Sequence, residues 1–264
     1  MHPSLNIAKR AALNAGKVIL RHLDRLDRVQ VSRKGHADFV SEVDLQAERE
    51  IVNTLRRIYP EHSILAEESG KFSGDDDNQW LIDPLDGTTN YLHGFPHFAV
   101  SIAFQQRGKL EAGIVYDPLR QEMFTASRGR GALLNERRLR VRSLATLEGS
   151  MLATGLPEGI RQSPRTLAVI DDLMAQGSAM RRTGSAALDL AYVAAGRLDG
   201  FWESGLHAWD MAAGALLVQE AGGLVGDFQG GYDFLRTGQI VAANPKLFKV
   251  LQTTLHARSR DGER

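Results

Sequence analysis

The order of apolar and polar residues predicts helices at the start of the chain and strands after them. Apolar side chains recur every three or four residues over 4–23 and again over 41–58, so both stretches are predicted to form amphipathic helices. Short apolar or alternating runs then predict five strands, at 62–66, 80–82, 98–106, 110–116 and 121–127. Because short turns join the last three of these runs, they are predicted to form an antiparallel meander.

From residue 149 onward the pattern changes to strands that alternate with helices. The predicted strands are 151–154, 180–182, 199–203, 224–228 and 240–243. The predicted helices are 164–175, 185–195, 211–221 and 246–256. We therefore expect an N-terminal α+β lobe over residues 1–145 and a C-terminal α/β lobe over 146–264, joined in one structural unit.

Composition and charge exclude several classes of protein. Lys plus Arg and Asp plus Glu both number 32, so no net positive charge is available to hold nucleic acid non-specifically. The chain has no cysteine, which removes disulfides, thiolate metal sites and a cysteine nucleophile. We find no apolar run of about 18 residues and no signal-peptide pattern, and we expect a cytoplasmic protein that does not enter a membrane.

The stretch from Trp80 to Asn90 carries the strongest candidate chemistry. Its apolar start predicts a buried strand that breaks at Pro84, and Asp83 and Asp86 stand on either side of the break. Gly87 and the threonines after it can bring backbone N–H groups close to an anion. Carboxylates beside such a turn suit Mg²⁺ and a phosphate ester. A polar turn that merely ends a strand is the alternative explanation.

Other carboxylates lie at the ends of predicted elements. Glu67 follows strand 62–66, and Asp210 stands before an alanine-rich helix. Asp44 lies in the first turn of the second helix, three residues after Ser41, a spacing that resembles a capping box. Each has a purely structural explanation, as a solvated loop charge or a helix cap. Together with Asp83 and Asp86, these oxygen ligands favour Mg²⁺ over zinc.

The segment from Arg128 to Arg142 contains six arginines and a single acid, Glu136. A solvated hairpin rim is one explanation of this segment. A patch that binds RNA, an acidic protein surface or a substrate phosphate is the other. No aromatic residue interrupts the segment, so base stacking has no support there.

Four sequence motifs resemble those of the inositol monophosphatase family, the Mg²⁺-dependent, lithium-sensitive phosphatases. They are the Asp-Pro-Leu-Asp-Gly-Thr-Thr-Asn signature at 83–90, Trp-Asp-Met-Ala-Ala-Gly at 209–214, Glu-Glu-Ser at 67–69 and Gly-Ser-Ala-Ala at 184–187. The resemblance runs from about residue 5 to residue 250. It implies the α/β (α+β layered) αβαβα five-layered sandwich of the inositol monophosphatase and fructose-1,6-bisphosphatase type, and usually a homodimer.

The resemblance also implies a role for each matching position. The implied metal ligands are Glu67, Asp83, the backbone carbonyl of Leu85, Asp86 and Asp210. Thr88, with Glu67 and Asp44, would activate the attacking water. The implied substrate contacts are Glu67, Leu85, Asp86, Gly87, Thr88, Gly184, Ser185, Ala186, Glu203 and Asp210, of which Gly87 and Thr88 would hold the phosphate. Lys34 would lie near the entrance.

The implied activity is Mg²⁺-dependent hydrolysis of myo-inositol 1-phosphate and related sugar or polyol phosphates. Fructose 1,6-bisphosphatase and nucleotide 3′-phosphatase are sister activities, but the chain is short for those relatives. Within the family, the chain looks most similar to a bacterial branch that includes transcription antitermination factors for ribosomal RNA. Such members contact RNA polymerase and Nus factors, so these are the alternative partners. Whether the chain contacts RNA directly stays open.

Overall fold

The computed structural model describes residues 3–26, 29–33, 39–156 and 164–260. Within this part of the chain the helices are α1 (Pro3–Leu23), α2 (Glu42–Arg56), α3 (Thr88–Leu92), α4 (Pro164–Ala175), α5 (Ala186–Ala194), α6 (Ala208–Glu220), α7 (Phe234–Thr237) and α8 (Pro245–Arg260). The first nine strands are β1 (Val31–Arg33), β2 (Phe39–Ser41), β3 (His62–Ala66), β4 (Gly70–Phe72), β5 (Asp75–Asp86), β6 (Ala99–Gln106), β7 (Lys109–Asp117), β8 (Glu122–Ser127) and β9 (Gly131–Leu134). The remaining strands are β10 (Arg137–Arg138), β11 (Met151–Thr154), β12 (Ala179–Arg181), β13 (Gly200–Ser204), β14 (Leu224–Gly226) and β15 (Gln239–Ala243).

These strands form two large mixed sheets and one small hairpin. The larger sheet has eight strands in the order β10-β9-β8-β7-β6-β5-β3-β4, and only its β3–β5 pair is parallel. The smaller sheet has five strands in the order β12-β11-β13-β15-β14, with β11 parallel to both of its neighbours. Strands β1 and β2 pair only with each other.

The helices form three layers that alternate with the two sheets. Helices α1 and α2 cover one face of the eight-stranded sheet, α5 and α6 lie between the sheets, and α4 and α8 cover the outer face of the five-stranded sheet. Helix α6 is buried on all sides from Met211 to Val218, as expected for a helix that is apolar all round. Its small residues allow close packing, since a Cβ on Gly113 of β7 would lie 3.0 Å from the Ala213 carbonyl. The predicted five-layered αβαβα sandwich is confirmed.

Helices α1 and α2 and the meander β6–β8 form where the apolar pattern predicts them. Helix α2 also has the predicted cap, because the Ser41 side chain accepts from the Val43 N–H and the Asp44 carboxylate accepts from the Ser41 N–H. The lobe boundary near residue 145 stays a prediction. The core between the two sheets draws side chains from both of them.

Three features of the strands depart from the sequence pattern. The polar segment 71–79 is typical of an exposed turn, but β4 extends to Phe72 and β5 already begins at Asp75. The Asp75 carboxylate accepts from the Asp77 N–H and the Asn78 side chain, which stabilises this polar start of the strand. The polar segment 24–40 is typical of irregular structure, but it overlaps the antiparallel strands β1 and β2. Strand β5 continues past Pro84, with a register shift between Asp83 and Asp86.

Candidate functional site

A sharp turn follows the register shift at the end of β5. The buried Asp83 carboxylate accepts from the Leu85 N–H at 3.0 Å, which bends the chain around Pro84. Gly87 then has φ 94°, a conformation that favours glycine, and an added Cβ would lie 3.0 Å from the His97 carbonyl. Helix α3 begins directly afterwards, so the N–H groups of Gly87 and Thr88 precede its first helical hydrogen bond.

Helix α2 places Asp44 directly behind this turn. The Thr88 hydroxyl lies 2.8 Å from Asp44 Oδ1 and 3.1 Å from the Leu85 carbonyl oxygen, and it can donate to either. The other carboxylate oxygen of Asp44 accepts from Ser41. Burial raises the pKa of Asp44, although these hydrogen bonds oppose the shift. The arrangement supplies Thr88 with a fixed proton acceptor.

Asp86 joins the same turn to the start of α5. Its Oδ2 accepts from the Ser185 hydroxyl at 2.6 Å and from the Ala187 N–H at 2.7 Å. Burial raises the pKa of Asp86 to about 6, against the lowering effect of these two hydrogen bonds. The first signature therefore contacts the Gly-Ser-Ala-Ala motif from about 100 residues further along the chain.

Asn90 provides a second link between these segments. Its side-chain amide donates to the His97 carbonyl at 2.7 Å and to the Thr183 carbonyl at 2.9 Å. Gly184, with φ 86°, packs against that amide, and an added Cβ would lie 3.0 Å from it. No role was predicted for Asn90, although it ends the first signature.

Glu67 and Asp210 complete a group of converging carboxylates around Asp83. Glu67 follows β3, and its N–H donates to the Ile82 carbonyl at 3.1 Å, next to the end of β5. Burial raises the pKa of Asp83 well above its usual range, and the negative charges of Glu67, Asp86 and Asp210 raise it further. A site with this much carboxylate charge favours a bound cation.

Asp210 takes part in a helix cap but is not the N-cap residue. Helix α6 begins at Ala208, three residues before the predicted start, so Asp210 is its third residue and forms a capping box with His207 as the N-cap. The Asp210 carboxylate accepts from the His207 N–H at 2.7 Å. The sequence pattern missed this extra turn because Ala208 and Trp209 are only half-buried, so the apolar pattern is weak there.

All the predicted site residues except Asp44 and Lys34 line one cavity of about 210 Å³. Asp44 lies behind Thr88, and Lys34 lies outside the described residues. The cavity has walls from both large sheets, since β5 supplies Asp83 and β13 supplies Glu203. The cavity lining also includes residues for which the sequence suggested no role in the site: Gly155, Leu156, Arg182, Asp189 and Leu206.

Glu203 lies against Gly155 on the β13 side of the cavity. A Cβ on Gly155 would fall 1.8 Å from Glu203 Oε1, so only glycine leaves room for this carboxylate. Burial raises the pKa of Glu203 to about 8, and the charges of Asp189, Asp86 and Asp210 add to the shift while Arg182 opposes it. The sequence pattern around Gly155 does not predict this contact, because Gly155 follows β11 whereas Glu203 lies on β13.

The donor set fits Mg²⁺. It consists of carboxylate oxygens and the Leu85 carbonyl, the hard oxygen ligands that Mg²⁺ prefers. Among the described residues, no three His, Cys, Asp or Glu side chains are close enough to hold a metal ion by themselves. That spacing is compatible with Mg²⁺, which usually keeps several waters and takes only one or two carboxylates.

The basic segment Arg128–Arg142 forms an exposed rim built on β9 and β10. Several of its arginines already have partners within the fold. Arg128 donates to the Leu110 carbonyl at 2.6 Å, Arg142 pairs with Asp199 at 3.3 Å, and Arg140 donates to the Leu139 carbonyl. This engagement favours the hairpin-rim explanation.

The layered αβαβα fold and an acidic cavity lined by oxygen ligands are the arrangement that suits a metal-dependent phosphatase of the layered-sandwich type. A sequence model described as the inositol monophosphatase family matches residues 1–261. The chain belongs to the inositol monophosphatase family, which is metal-dependent, and the predicted resemblance is confirmed.

Individual relatives agree with this assignment. The chain is 56% identical over 261 residues to a Pseudomonas aeruginosa protein named Nus factor SuhB, covering 97% of this chain and 96% of that protein. The crystal structure of extragenic suppressor protein suhB from Bartonella henselae matches with a TM-score of 0.92 and 47% identity, covering 95% and 97% of the two chains. The inositol monophosphatase from Anabaena matches with a TM-score of 0.84 and 39% identity, covering 96% and 95%. No helix in the described part of the chain is long and apolar enough to cross a membrane.

Proposed function

We propose that the chain hydrolyses phosphate monoesters of polyols, myo-inositol 1-phosphate among them, in a Mg²⁺-dependent reaction. The observation that carries this proposal is the cavity itself. It is lined by carboxylates that follow β3 or lie on β5 and α6, and by the start of α5 together with Glu203. A phosphate ester can then bind with its phosphate near the carboxylates and its alcohol near α5.

The proposed metal ligands are Glu67, Asp83, the Leu85 carbonyl, Asp86 and Asp210. Bound Mg²⁺ would make hydroxide available from water near neutral pH and would stabilise the charge on the leaving alcohol oxygen. The crowded carboxylates fit this role, because burial and then the charges of the neighbouring carboxylates raise the pKa of Asp83 when no cation is present.

Thr88 and Asp44 are the proposed proton acceptors, together with Glu67. With its hydroxyl proton directed at Asp44 Oδ1, 2.8 Å away, the Thr88 oxygen keeps lone pairs that can orient and deprotonate a water. Asp44 then receives the proton from Thr88. The N–H groups of Gly87 and Thr88 lie free of the α3 helical pattern and would donate to phosphate oxygens.

The alcohol would bind next to the start of α5 and Glu203. Gly184, Ser185, Ala186 and Glu203 are the proposed contacts there, and Asp210 would serve both a metal and a hydroxyl. Ser185 also donates to Asp86 at 2.6 Å, so the alcohol-binding side directly supports a proposed metal ligand.

Steady-state phosphate release from a panel of monophosphates, with and without Mg²⁺ and Li⁺, tests the proposal and identifies the preferred alcohol. Asp86→Asn and Asp210→Asn should abolish Mg²⁺-dependent release while circular dichroism and Tm show an intact fold. Asp199→Asn is the matched control, because Asp199 is also a buried aspartate but does not line the cavity. Full turnover in both cavity variants would contradict the assignment.

A second function is favoured by the relatives rather than by the cavity. The Pseudomonas aeruginosa protein and an Escherichia coli protein, 52% identical over 263 residues, are both named Nus factor SuhB. We propose that the chain also acts in cytoplasmic transcription antitermination of ribosomal RNA, with RNA polymerase and Nus factors as partners. Direct RNA contact through the segment Arg128–Arg142 is the weaker part of this proposal, since several of its arginines are engaged within the fold.

Complementation separates the two functions. In a strain that lacks its own relative, an Asp86→Asn chain that restores ribosomal RNA transcription without phosphate release would favour the binding role. Failure of Asp86→Asn to restore transcription, where the wild type succeeds, would make catalysis the function that the cell requires. The resemblance also implies a homodimer, which light scattering after size exclusion tests directly.

A further inference from the structure

Asp189 is a buried carboxylate that has no part in the proposed mechanism. It lies in the first turn of α5, its side chain is 2% exposed, and it lines the same cavity as Glu203. Its Oδ1 has no hydrogen-bond partner among the described residues, although the atom is buried. A buried carboxylate oxygen without a donor is costly, so its position at the cavity wall points to a bound donor.

The surroundings of Asp189 define the chemistry of that donor. The Asp189 and Glu203 carboxylates are close enough for the charge of Asp189 to raise the pKa of Glu203. Thr183 lies beside Asp189. Burial raises the pKa of Asp189, and the nearby Thr183 hydroxyl opposes that rise as a hydrogen-bond donor. The contact lacks regular hydrogen-bond geometry, since Thr183 Oγ1 and Asp189 Oδ1 both have no partner by distance and angle in the described part of the chain. The two carboxylates present acceptors, and Arg182 and Thr183 are donors beside them, so this wall complements neighbouring groups that both donate and accept, as hydroxyls do.

We infer that Asp189 binds a hydroxyl of the substrate alcohol next to the one that Glu203 contacts, and so selects phosphate esters of alcohols with neighbouring hydroxyls. The inference rests on the proposed phosphatase function and adds a specificity-determining residue to it. An alcohol hydroxyl suits this wall, because it can donate to a carboxylate oxygen that has no partner of regular geometry.

Asp199 provides a matched control elsewhere in the fold. It is also 2% exposed, and its Oδ1 is likewise buried without a partner among the described residues. Its Oδ2 accepts from the Met151 N–H at 2.9 Å and pairs with Arg142, so it serves the fold and lies outside the cavity lining. Replacing either buried aspartate should therefore lower the stability of the fold. Only replacement of Asp189 should change the selectivity between phosphate esters.

The experiment compares two esters in full-length protein with saturating Mg²⁺. Myo-inositol 1-phosphate carries neighbouring hydroxyls, and p-nitrophenyl phosphate carries none. We expect Asp189→Ala to raise KM about 10- to 100-fold for the inositol ester, the range for a lost hydrogen bond to a charged group, and to change KM for the nitrophenyl ester less than twofold. Asp189→Asn, which keeps one acceptor oxygen, should recover part of the loss. Asp199→Asn should leave the ratio of the two KM values unchanged.

Three results would overturn the inference. An equal rise in KM for both esters would make Asp189 a structural residue. An unchanged KM for both esters would mean that water, and not the substrate, binds its buried oxygen. A higher Mg²⁺ concentration for half-maximal activity in Asp189→Asn would make it a metal ligand instead. Wild-type protein that hydrolyses neither ester defeats the proposed function itself. In that case, calorimetric binding of inositol 1-phosphate to wild type and Asp189→Ala still tests the hydroxyl contact, and equal affinities would overturn it.

Discussion

Replacing Gly155 with alanine should displace Glu203 and leave the rest of the fold almost unchanged. The added Cβ would lie 1.8 Å from Glu203 Oε1 and 2.2 Å from Oε2, whereas ordinary van der Waals contact begins near 3.4 Å. The carboxylate must therefore move by about 1.6 Å, the difference between these distances. The nearest obstructing atoms belong to the end of a flexible side chain, so rotation of Glu203 relieves the clash without a shift of β11 or β13.

The expected loss is large in activity and small in stability. A displacement of about 1 Å in a substrate-positioning group can cost about 100-fold in rate. We therefore expect Gly155→Ala to lower kcat/KM for inositol 1-phosphate about 100-fold, equivalent to about 2.7 kcal/mol of transition-state binding. An off-rotamer side chain costs about 0.5–1.5 kcal/mol, so Tm should fall by only a few degrees.

A double-mutant cycle is the assay. Kinetics and thermal unfolding are measured for wild type, Gly155→Ala, Glu203→Ala and the double variant, because in Glu203→Ala the obstructing carboxylate is absent. Gly155→Ala should then have little further effect, giving a coupling energy close to its full single-variant effect. A 100-fold loss that persists in the Glu203→Ala background would refute the reasoning, as would a single variant with wild-type kinetics.

Three further predictions concern the same cavity. Burial raises the pKa of both Asp189 and Glu203 to about 8, above their ordinary values of 3.8 and 4.5. The metal-free folded chain therefore binds protons more tightly than the unfolded chain, so Tm should fall as pH rises from about 4 to about 8. The fall in Tm should be less steep in Asp189→Asn. Thr88→Ala should lower kcat at least 100-fold because the bridge to Asp44 is lost, and Thr88→Ser should restore most of it; equal losses in both variants would contradict the proton-acceptor role. Asn90→Ala removes two hydrogen bonds to backbone carbonyls and should lower the free energy of unfolding by about 1–3 kcal/mol in urea titration; an unchanged midpoint would show that the amide does not join these segments.

The predictable parts of the fold are those whose patterns come from a single element. The apolar stripe of α2 and its capping box at Ser41 are local features, and both were predicted from the residues alone. The strand Trp80–Ile82 is buried as its apolar run indicated. The resemblance of the motifs extends the prediction to the site. It groups Glu67, Asp83 and Asp210 as ligands of one metal centre, and the three residues line one cavity in the structure.

The features that the sequence did not predict depend on contacts between distant segments. The polar residues at the start of β5 form a strand because β3 and β6 supply hydrogen-bond partners, which local propensity does not record. Asp189 follows helical spacing within an apolar segment and so looks like an ordinary helix residue, and only burial beside Glu203 distinguishes it. Gly155 becomes significant solely through the position of the Glu203 carboxylate.

The position of Asp86 explains why the two halves of the cavity cannot be treated as independent sites. Its Oδ2 already accepts from Ser185 and from the Ala187 N–H at the start of α5, the element that is proposed to bind the alcohol. Any movement of α5 toward or away from a substrate therefore changes the orientation of a proposed metal ligand. Conversely, a cation that attracts Asp86 competes with Ser185 for the same carboxylate. If Asp86 binds the metal and α5 binds the alcohol, as proposed, the two events share one side chain, and we expect their binding free energies to be coupled.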